Sequence, residues 1–398
     1  MFDAADRPVI LIGASVRAAA TGVAAAPNRT LLIGIDQFGD ADTHQACDHL
    51  FHIEELGALA DFLHAGLGAG TPLEMLRPVA IRVGGIAAEI VESLKTTLAI
   101  PCIHDQDPDA DQFRKLAAIA GVRTPERCLA ATSTHAKSTY LIKQAGTSGG
   151  MGVRRLPNVA GAGARHEAML EIENAEPLGG VFHHDGHQVR CAGFFRSRVQ
   201  AIGDRPFCYA GSAGPMDVSE TLRRDATRLA SAFIDQTGHL GCFNVDLLRR
   251  GQDHWFLEIN ARYSASMELL EHQYQFSWVR DAIWLACGYR NDAVPAMVFK
   301  PQSTHYGEKR IHYPGIDVSG ADITSTDVAF DLARVRAQHP GWAIADYPSD
   351  GTPIAAGTPG WTTLRLSADT PAAASNTVPA LSDTTPVASD TAPGANGD

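Results

Sequence analysis

WFLEINARYSASMELLE, residues 255–271, contains the pattern from which the architecture of this 398-residue chain can be worked out. It places a carboxylate, an amide and a guanidinium at alternate positions, Glu258, Asn260 and Arg262, at the end of an otherwise apolar strand. Side chains two apart on a strand point to the same face of a sheet, so these three groups converge on one side. Because a row of buried polar groups is costly without partners, the pattern predicts a ligand at this face.

The residues just before this stretch supply a second carboxylate. Asp246 lies in GCFNVDLL, residues 241–248, and the following RRGQD has the composition of a hairpin turn. Antiparallel pairing can then place Asp246 opposite Glu258 and Asn260. Two carboxylates and an amide oxygen are hard ligands that suit Mg²⁺, and Arg262 can neutralise charge on a transferring phosphoryl group.

A glycine-rich segment lies about 100 residues earlier, in TYLIKQAGTSGGMGVRRL, residues 139–156. A strand that carries Lys143 runs into this segment, and a second extended stretch, VRRL, follows it. Glycines allow successive backbone N–H groups to turn toward one anion, and a lysine adds a point charge for phosphate. The pattern predicts a phosphate-binding loop at the tip of a β-hairpin, formed by Gly146, Ser148, Gly149, Gly150, Met151 and Gly152.

Other glycine motifs fit less well. A P-loop requires a lysine after the glycines and then a helix, and neither is present here. A dinucleotide fingerprint at GASVRA, residues 13–18, has Ser15 and Ala18 where glycines are needed. The pattern G-x-S-x-G around Ser148 is formally that of a serine hydrolase, but a nucleophile elbow must lead into a helix, whereas strand-forming residues follow. A serine hydrolase and a hairpin tip without a ligand remain as minor alternatives.

The distribution of strand and helix patterns divides the chain into four parts. Residues 1–107 alternate short β-branched runs with helical segments, which predicts an α/β domain with a parallel sheet. Residues 108–296 mix helices with mainly antiparallel strands, and residues 297–366 form a small β-rich module. Residues 367–398 contain no lysine, arginine or aromatic residue and are expected to be a disordered tail.

Composition excludes several classes of function. The net charge of −12 argues against a general nucleic-acid or anionic-membrane binder. The N-terminus lacks a charged leader before an apolar core and no apolar run reaches the length of a membrane span, so we expect a cytoplasmic protein without a membrane partner. The seven cysteines are scattered without a C-x-x-C pair, which predicts neither a zinc site nor a disulfide framework.

Taken together, these motifs resemble those of ATP-grasp enzymes, over roughly residues 7–366. In this resemblance EINAR corresponds to the family pattern E-x-N-P-R, with Ala261 in place of proline. It implies an ATP-grasp fold behind a Rossmann-like N-terminal domain. Lys143 and the glycine hairpin would contact the nucleotide, and Asp246, Glu258 and Asn260 would hold magnesium. A glutamate in EIENAEPLGG would hold the ribose, with Glu171, Glu173 and Glu176 as the candidates.

The resemblance also implies an activity: an ATP-dependent carboxylate–amine ligase that forms an amide through an acyl phosphate. ATP and Mg²⁺, with Mn²⁺ as an alternative metal, would be the cofactors, and Arg262 and Lys143 the catalytic residues. The substrates would be a small carboxylate and a small amine, in cofactor biosynthesis linked to methanopterin-type one-carbon metabolism, and a homodimer is a candidate assembly. A biotin-carboxylase-like enzyme that activates bicarbonate and a nonenzymatic ATP-binding module are the two alternatives.

Overall fold

A computed structural model gives the architecture of most of the chain. It describes residues 7–25, 30–65, 77–86, 91–93, 95–96, 100, 102–128, 139–144, 147–156, 166–288, 299, 306–315 and 327–367. The expected tail lies outside these residues apart from Ser367. None of the helices in the described ranges is long and apolar enough to span a membrane.

The N-terminal part is built on a five-stranded parallel sheet, as the alternating pattern predicts. Its strands stand in the order β3-β2-β1-β4-β5. Parallel strands covered on both faces need continuous apolar runs, and every residue of β1 and β2 is buried accordingly. The elements of this part are β1 (Val9–Ile12), α1 (Arg17–Ala24), β2 (Leu32–Asp36), α2 (Ala41–Ala46), β3 (His49–His52), α3 (Leu56–Ala65), β4 (Val79–Arg82) and β5 (Cys102–Ile103).

The strand order of this sheet reverses between β1 and β4, which opens a crevice at their carboxyl ends. The loops that follow these two strands are tied together by a hydrogen bond from Ala14 N to Gly85 O of 3.1 Å. Gly84 N also donates to Tyr263 O at 3.2 Å, and Val83 pairs with Tyr263 in an isolated bridge. The crevice therefore opens onto the residues that follow the EINAR strand.

The rest of the chain forms two antiparallel sheets and a small β-ribbon. A four-stranded sheet has the order β6-β9-β7-β8, and an eight-stranded sheet has the order β14-β13-β10-β11-β12-β15-β19-β17. Their strands are β6 (Arg127–Cys128), β7 (Tyr140–Gln144), β8 (Val153–Leu156), β9 (His166–Leu170), β10 (Glu176–His184), β11 (Val189–Ile202), β12 (Arg205–Met216), β13 (Gly241–Arg250), β14 (Asp253–Asn260), β15 (Tyr306–His312), β17 (Ala343–Ala345) and β19 (Trp361–Ser367).

Most of the C-terminal strands extend the large sheet. Strand β15 pairs with β12, and β19 joins β15 to β17. The two remaining C-terminal strands, β16 (Val328–Ala329) and β18 (Pro353–Ile354), form a two-stranded ribbon beside α8 (Leu332–Gln338). Strands β15, β17 and β19, which belong to the segment 297–366 expected as a small β-rich module, thus share a sheet with the middle of the chain.

Helices cover both faces of the large sheet. On one face lie α4 (Ala110–Ala120) and α5 (Glu220–Thr237), whose apolar sides pack on Phe182, Phe194 and Phe243. Helix α4 begins with a capping box between Asp109 and Gln112, and Gly121, with a φ of +62°, caps its C-terminal end. On the other face, α6 (Met267–Tyr274) and α7 (Trp278–Ala286) pack with α1 of the N-terminal part. That second face carries the candidate active site.

Candidate active site

The carboxylates predicted from the sequence lie directly opposite each other on β13 and β14. The register pairs Asp246 with Glu258 and Asn244 with Asn260. Asn260 Nδ2 donates to Asp246 Oδ2 at 2.8 Å. The hairpin turn at 249–253 leads to the pairing of Leu247 with Phe256, and a β-bulge between Asp246 and Leu247 then shifts the register by one residue. The shifted register places all four polar side chains on one face.

Lys143 reaches this row from the four-stranded sheet. Its Nζ donates to Glu258 Oε2, although the two residues are separated by 115 positions in the chain. The two side chains are 35% and 37% exposed, so the ion pair is open to solvent. The contact shows that the glycine-hairpin strand and the EINAR strand meet at a single cleft.

Arg262 is held in place by Asn260, which the sequence indicated, and by Asp107, which it did not. Its Nη2 donates to Asn260 Oδ1 at 2.7 Å and its Nε donates to Asp107 Oδ2 at 3.2 Å. Asp107 also accepts two hydrogen bonds of 2.8 Å from the guanidinium of Arg82 and one of 2.8 Å from Ala261 N. Burial opposes ionisation of Asp107, but Arg262 and Arg82 hold its pKa below the ordinary value. Asp107 therefore stays ionised, and its carboxylate holds the Arg262 side chain in position.

The charges of the row are incompletely balanced. Burial and the facing charge of Glu258 raise the pKa of Asp246 to about 7. Burial acts in the same direction on Glu258, but Lys143 and Arg262 hold the pKa of Glu258 below its ordinary value. Two facing carboxylates thus share one lysine, and a bound cation would relieve their repulsion.

The donor set of the row fits a hard divalent cation. Asn244 is 4% exposed, its Nδ2 donates to Asp246 Oδ1 at 2.5 Å, and its Oδ1 is buried without a hydrogen-bond partner among the described residues. A Cβ added at Gly179 would lie 2.9 Å from that oxygen, so glycine leaves the space beside it open. Carboxylate and amide oxygens are the ligands that Mg²⁺ prefers. Within the described parts of the chain, no group of three histidine, cysteine or acidic side chains competes as a metal site.

The glycine segment forms the tip of the β7–β8 hairpin, in which Lys143 pairs with Val153. Gly149 and Gly150 have φ values of +60° and +73°, which favour glycine. Met151 N donates to Ser148 O at 3.2 Å and closes the turn. Gly146 lies outside the described residues. Because strand β8 follows the turn, the nucleophile-elbow geometry required of a serine hydrolase is absent at Ser148.

This hairpin is docked onto its surroundings on two sides. Tyr209 N of β12 donates to Gly149 O at 2.8 Å, and a Cβ on Gly150 would approach Phe207 O to 1.8 Å. On the other side, a Cβ on Gly85 would lie 2.1 Å from Ser148 Oγ. The hairpin therefore closes against both the large sheet and the β4 loop of the N-terminal part.

The three candidate ribose glutamates differ in their surroundings. Glu171 receives the Arg155 guanidinium, with the shortest distance 2.7 Å from Nη2 to Oε1. Glu173 lies in the turn between β9 and β10.

Glu176 begins β10 and accepts hydrogen bonds from Arg196 and Arg249. It pairs with Arg249, whereas Gly179, three positions later on the same strand, pairs with Asp246. Side chains alternate between faces, so Glu176 projects from the face of the sheet opposite Asp246. Its expected contact with the ribose is not favoured by this orientation.

The chain matches a known protein family and several solved structures. The family model described as an ATP-grasp domain matches residues 110–266, which contain Lys143, the glycine hairpin, Asp246, Glu258 and Asn260. A comparison with curated protein sequences found no match.

Solved structures share the fold over almost the whole chain. N5-carboxyaminoimidazole synthetase from Staphylococcus aureus, complexed with ADP, is 12% identical and covers 92% of this chain and 95% of its own, with a TM-score of 0.62. Biotin carboxylase from Campylobacter jejuni, in complex with β-γ-ATP, is 15% identical and covers 92% and 89%, with a TM-score of 0.65. The biotin carboxylase domain of Hydrogenobacter thermophilus 2-oxoglutarate carboxylase, in complex with MgADP, ADP and bicarbonate, is 14% identical and covers 90% and 86%, with a TM-score of 0.64.

The expected ATP-grasp fold, with a Rossmann-like N-terminal domain, is thereby confirmed. Because the sequence identities are only 12–15%, the similarity to these structures establishes the fold alone.

Proposed function

Because residues 110–266 are an ATP-grasp domain in a chain that has the fold of such enzymes, we propose that the protein is an ATP-dependent carboxylate–amine ligase. The observation that carries this proposal is the convergence of Lys143 with Glu258, Asp246 and Asn260 in one cleft. A serine hydrolase or a bare hairpin tip would not require this arrangement.

In this proposal the nucleotide phosphates lie between the glycine hairpin and the carboxylate row. Lys143 binds phosphate oxygens once ATP separates it from Glu258, and backbone N–H groups of the hairpin at 148–152 add to the cradle. Asp246, Glu258 and Asn260 would hold Mg²⁺, which neutralises the charge of the β- and γ-phosphates when bound. We assign the ribose contact to Glu173, since arginines already bind the carboxylates of Glu171 and Glu176.

The reaction has two steps. An oxygen of the substrate carboxylate attacks the γ-phosphorus, the bond to the β–γ bridging oxygen breaks, and ADP leaves. The amine nitrogen then attacks the acyl carbon, the bond from carbon to the phosphate oxygen breaks, and phosphate leaves as the nitrogen loses a proton. Arg262, fixed by Asp107, stabilises the negative charge in both steps, and the docked hairpin keeps water away from the acyl phosphate.

The substrates are small molecules in this proposal, and their identities are not encoded in any motif of the chain. The role in methanopterin-linked cofactor biosynthesis and the homodimeric state both remain predictions from the family resemblance.

The test is phosphate release from ATP and Mg²⁺ in the presence of a panel of carboxylates, each combined with a panel of amines. We expect at least one pair to stimulate release and to yield an amide of the combined mass. If no pair stimulates turnover in a protein that binds MgADP, the ligase proposal is lost. If bicarbonate also fails to stimulate turnover, the nonenzymatic ATP-binding alternative stands.

A second candidate is a carboxylase that activates bicarbonate as carboxyphosphate. It is favoured by the names of the similar structures, which include a carboxyaminoimidazole synthetase and a biotin carboxylase with bicarbonate. The same assay separates the two candidates, because a carboxylase would turn over ATP with bicarbonate alone and would not require an organic acid.

A further inference from the structure

A buried network of charged side chains joins the N-terminal part to the large sheet. Arg17 of α1 donates to Glu268 of α6, and its Nε and Nη2 donate to the two carboxylate oxygens of Asp346 at 2.8 and 3.0 Å. Lys309 of β15 donates to Glu268 Oε2 at 2.7 Å. Asp42 of α2 accepts from the backbone N–H of Asp346 at 2.9 Å. Asp40 immediately precedes Ala41, whose backbone N–H donates to Tyr347 O at 2.8 Å, so Asp40 lies beside this network. We call Asp40 and the residues of the network the junction pocket.

The charges of the junction pocket are arranged by depth. The side chains of Arg17, Lys309 and Glu268 are 3%, 5% and 1% exposed. Asp42 and Asp346 are 16% and 20% exposed. The more exposed of these five groups are therefore carboxylates, whereas the two cations are buried.

The acids of this pocket outnumber its buried cations. Asp40, Asp42, Glu268 and Asp346 are four carboxylates, whereas only Arg17 and Lys309 balance them from within the described buried set. His272 approaches Glu268 at 3.5 Å from a side chain that is 37% exposed. An excess buried carboxyl group stays protonated unless a further cation is supplied, because an unpaired buried charge is costly.

Asp40 differs from the other acids of the pocket in its lack of a partner. It is 8% exposed, and its side chain makes no hydrogen bond or ion pair with any described residue. It stands at the N-cap position of α2 but does not cap the helix. Asp36, four positions earlier, accepts three backbone hydrogen bonds of 2.7 Å by contrast. Burial and the neighbouring charges of Asp346, Asp36 and Asp42 act together to raise the pKa of Asp40 to about 8.

The junction pocket adjoins the candidate active site. Ser15 Oγ lies 3.4 Å from Asp346 Oδ1, and the loop of Ser15 is bonded to Gly85, which contacts Ser148 of the glycine hairpin. From the sheet side, Ser212 is paired with Lys309, and its hydroxyl lies 2.7 Å from that of Tyr209.

The backbone N–H of Tyr209 donates to the hairpin. Burial raises the pKa of the Tyr209 hydroxyl, and the charges of Glu268 and Asp246 both add to this shift. The pocket also lies outside the carboxyl ends of β1 and β2, beside the switch point between β1 and β4 at which open α/β sheets bind ligands.

We propose that the junction pocket binds a primary ammonium group of the amine substrate, with Asp40, which gives up its proton to solvent on binding, as its main contact and Asp42 and Asp346 at its sides. The identification of the ligand as the amine substrate rests on the proposed ligase function, whereas cation binding at this site does not require catalysis. A carboxylate or phosphate group is disfavoured, because it would approach the carboxyl groups of Asp40, Asp42 and Asp346.

The test is calorimetric titration of 1,4-diaminobutane into the full chain saturated with MgADP. We expect saturable binding of the diamine and none of the neutral isostere butane-1,4-diol. Asp40→Asn should weaken diamine binding at least tenfold and leave MgADP binding unchanged. Asp61→Asn, at an exposed position on α3, is the matched control and should bind the diamine as the wild type does.

Three results would overturn the assignment: no diamine binding to a protein that binds MgADP, equal binding of the diol, or equal affinity in Asp40→Asn. A failure to bind MgADP would instead count against the proposed function, and titration of the nucleotide-free chain would still decide the pocket. Asp40→Ser provides a second variant, and a cooperative thermal transition monitored by circular dichroism establishes that each variant is folded.

Discussion

At the scale of single residues, the candidate site depends on an imbalance between two facing carboxylates and one lysine. Glu258 stays ionised beside Lys143, whereas burial and the charge of Glu258 hold the pKa of Asp246 near 7. Because Asp246 is the group that is harder to ionise, a bound cation should shift its pKa more than that of Glu258. The chemistry of the cleft therefore depends on both acids, but in different ways.

Glu258→Gln is expected to lower substrate-stimulated phosphate release on the order of 100-fold, since it removes one charge that would hold magnesium against the transferring phosphoryl group. MgADP should still bind, because Lys143 and the hairpin are retained. Steady-state phosphate release and calorimetry measure the two effects. Asp253→Asn, on the same strand and 56% exposed, is the control and should change neither quantity. Equal turnover by Glu258→Gln and wild type would remove Glu258 from the mechanism.

Asn244→Ala is expected to raise the Mg²⁺ concentration needed for half-maximal turnover about 10- to 100-fold, because Asn244 orients Asp246 and contributes a buried oxygen that no described residue bonds. The limiting rate at saturating Mg²⁺ should fall much less. Asn244→Ser retains a donor and should recover part of the loss. A parallel fall of the limiting rate without any shift in the Mg²⁺ dependence would show that Asn244 is merely structural.

The site residues that could be predicted from the sequence depend on local patterns, whereas those that could not depend on contacts between distant parts of the chain. Glu258, Asn260 and Asp246 were accessible because strand alternation and one hairpin turn, both local, bring them near each other, although the β-bulge that sets Asp246 opposite Glu258 was not predicted. Asp107 and Asp40 were not identified, since their roles arise from contacts between the N-terminal part and distant strands. Each stands among several aspartates, and no local pattern distinguishes the one that is buried.

At the scale of elements, the glycine hairpin illustrates why its residues are small. Gly150 combines a φ of +73° with a contact so close that a Cβ would lie 1.8 Å from Phe207 O. Gly203, in the β11–β12 turn, has a φ of +58°, but a Cβ added there would meet no described atom within 4 Å beyond its chain neighbours. A side chain would strain the backbone at both positions, but only at Gly150 would it also disrupt the contact with β12. Comparing substitutions at the two glycines therefore distinguishes backbone strain from loss of docking.

Gly150→Ala is expected to prevent the hairpin from closing on β12 and to weaken MgADP binding about tenfold. Gly203→Ala should lose roughly 1 kcal/mol of stability from its left-handed backbone and bind MgADP normally. Calorimetry and denaturant unfolding distinguish the two effects. Equal nucleotide affinity in the two variants would contradict a role for the docked hairpin in binding.

The elements themselves were largely predictable, whereas their partners in the sheets were less so. Continuous apolar runs indicated the parallel strands β1, β2 and β4, and turn residues indicated the β13–β14 hairpin. The union of β15 and β19 with the large sheet was not predicted, because β15 pairs with β12 about 100 residues away and no local periodicity encodes that choice.

At the scale of the whole molecule, the junction between the parallel sheet and the large sheet contains an unusual concentration of buried charge. Burial raises the pKa of Glu271, as it does that of Asp40, to about 8. The opposite shift occurs at the buried histidines His104 and His239, whose pKa values burial lowers to about 3 and 4. The pH dependence of folding therefore reflects two sets of groups that titrate in different ranges.

The sign of each contribution follows from which state holds more protons. Between about pH 4 and pH 8, Asp40 and Glu271 are protonated in the folded chain and ionised in the unfolded chain, so they reduce stability as pH rises. The histidines act oppositely, but only up to about pH 6.5, where the unfolded imidazoles have lost their protons. From about pH 6.5 to about pH 8.5 the acids dominate, and stability should fall.

We therefore expect the free energy of unfolding, measured with urea, to decrease between about pH 6.5 and about pH 8.5, with each buried acid contributing at most about 1.4 kcal/mol per pH unit. Asp40→Asn should make this decrease smaller and should stabilise the protein most at the upper end of the range, because the amide never ionises. Asp61→Asn should preserve the wild-type slope. Identical slopes for wild type and Asp40→Asn would mean that Asp40 is ionised throughout and that a cation from the protein already compensates it.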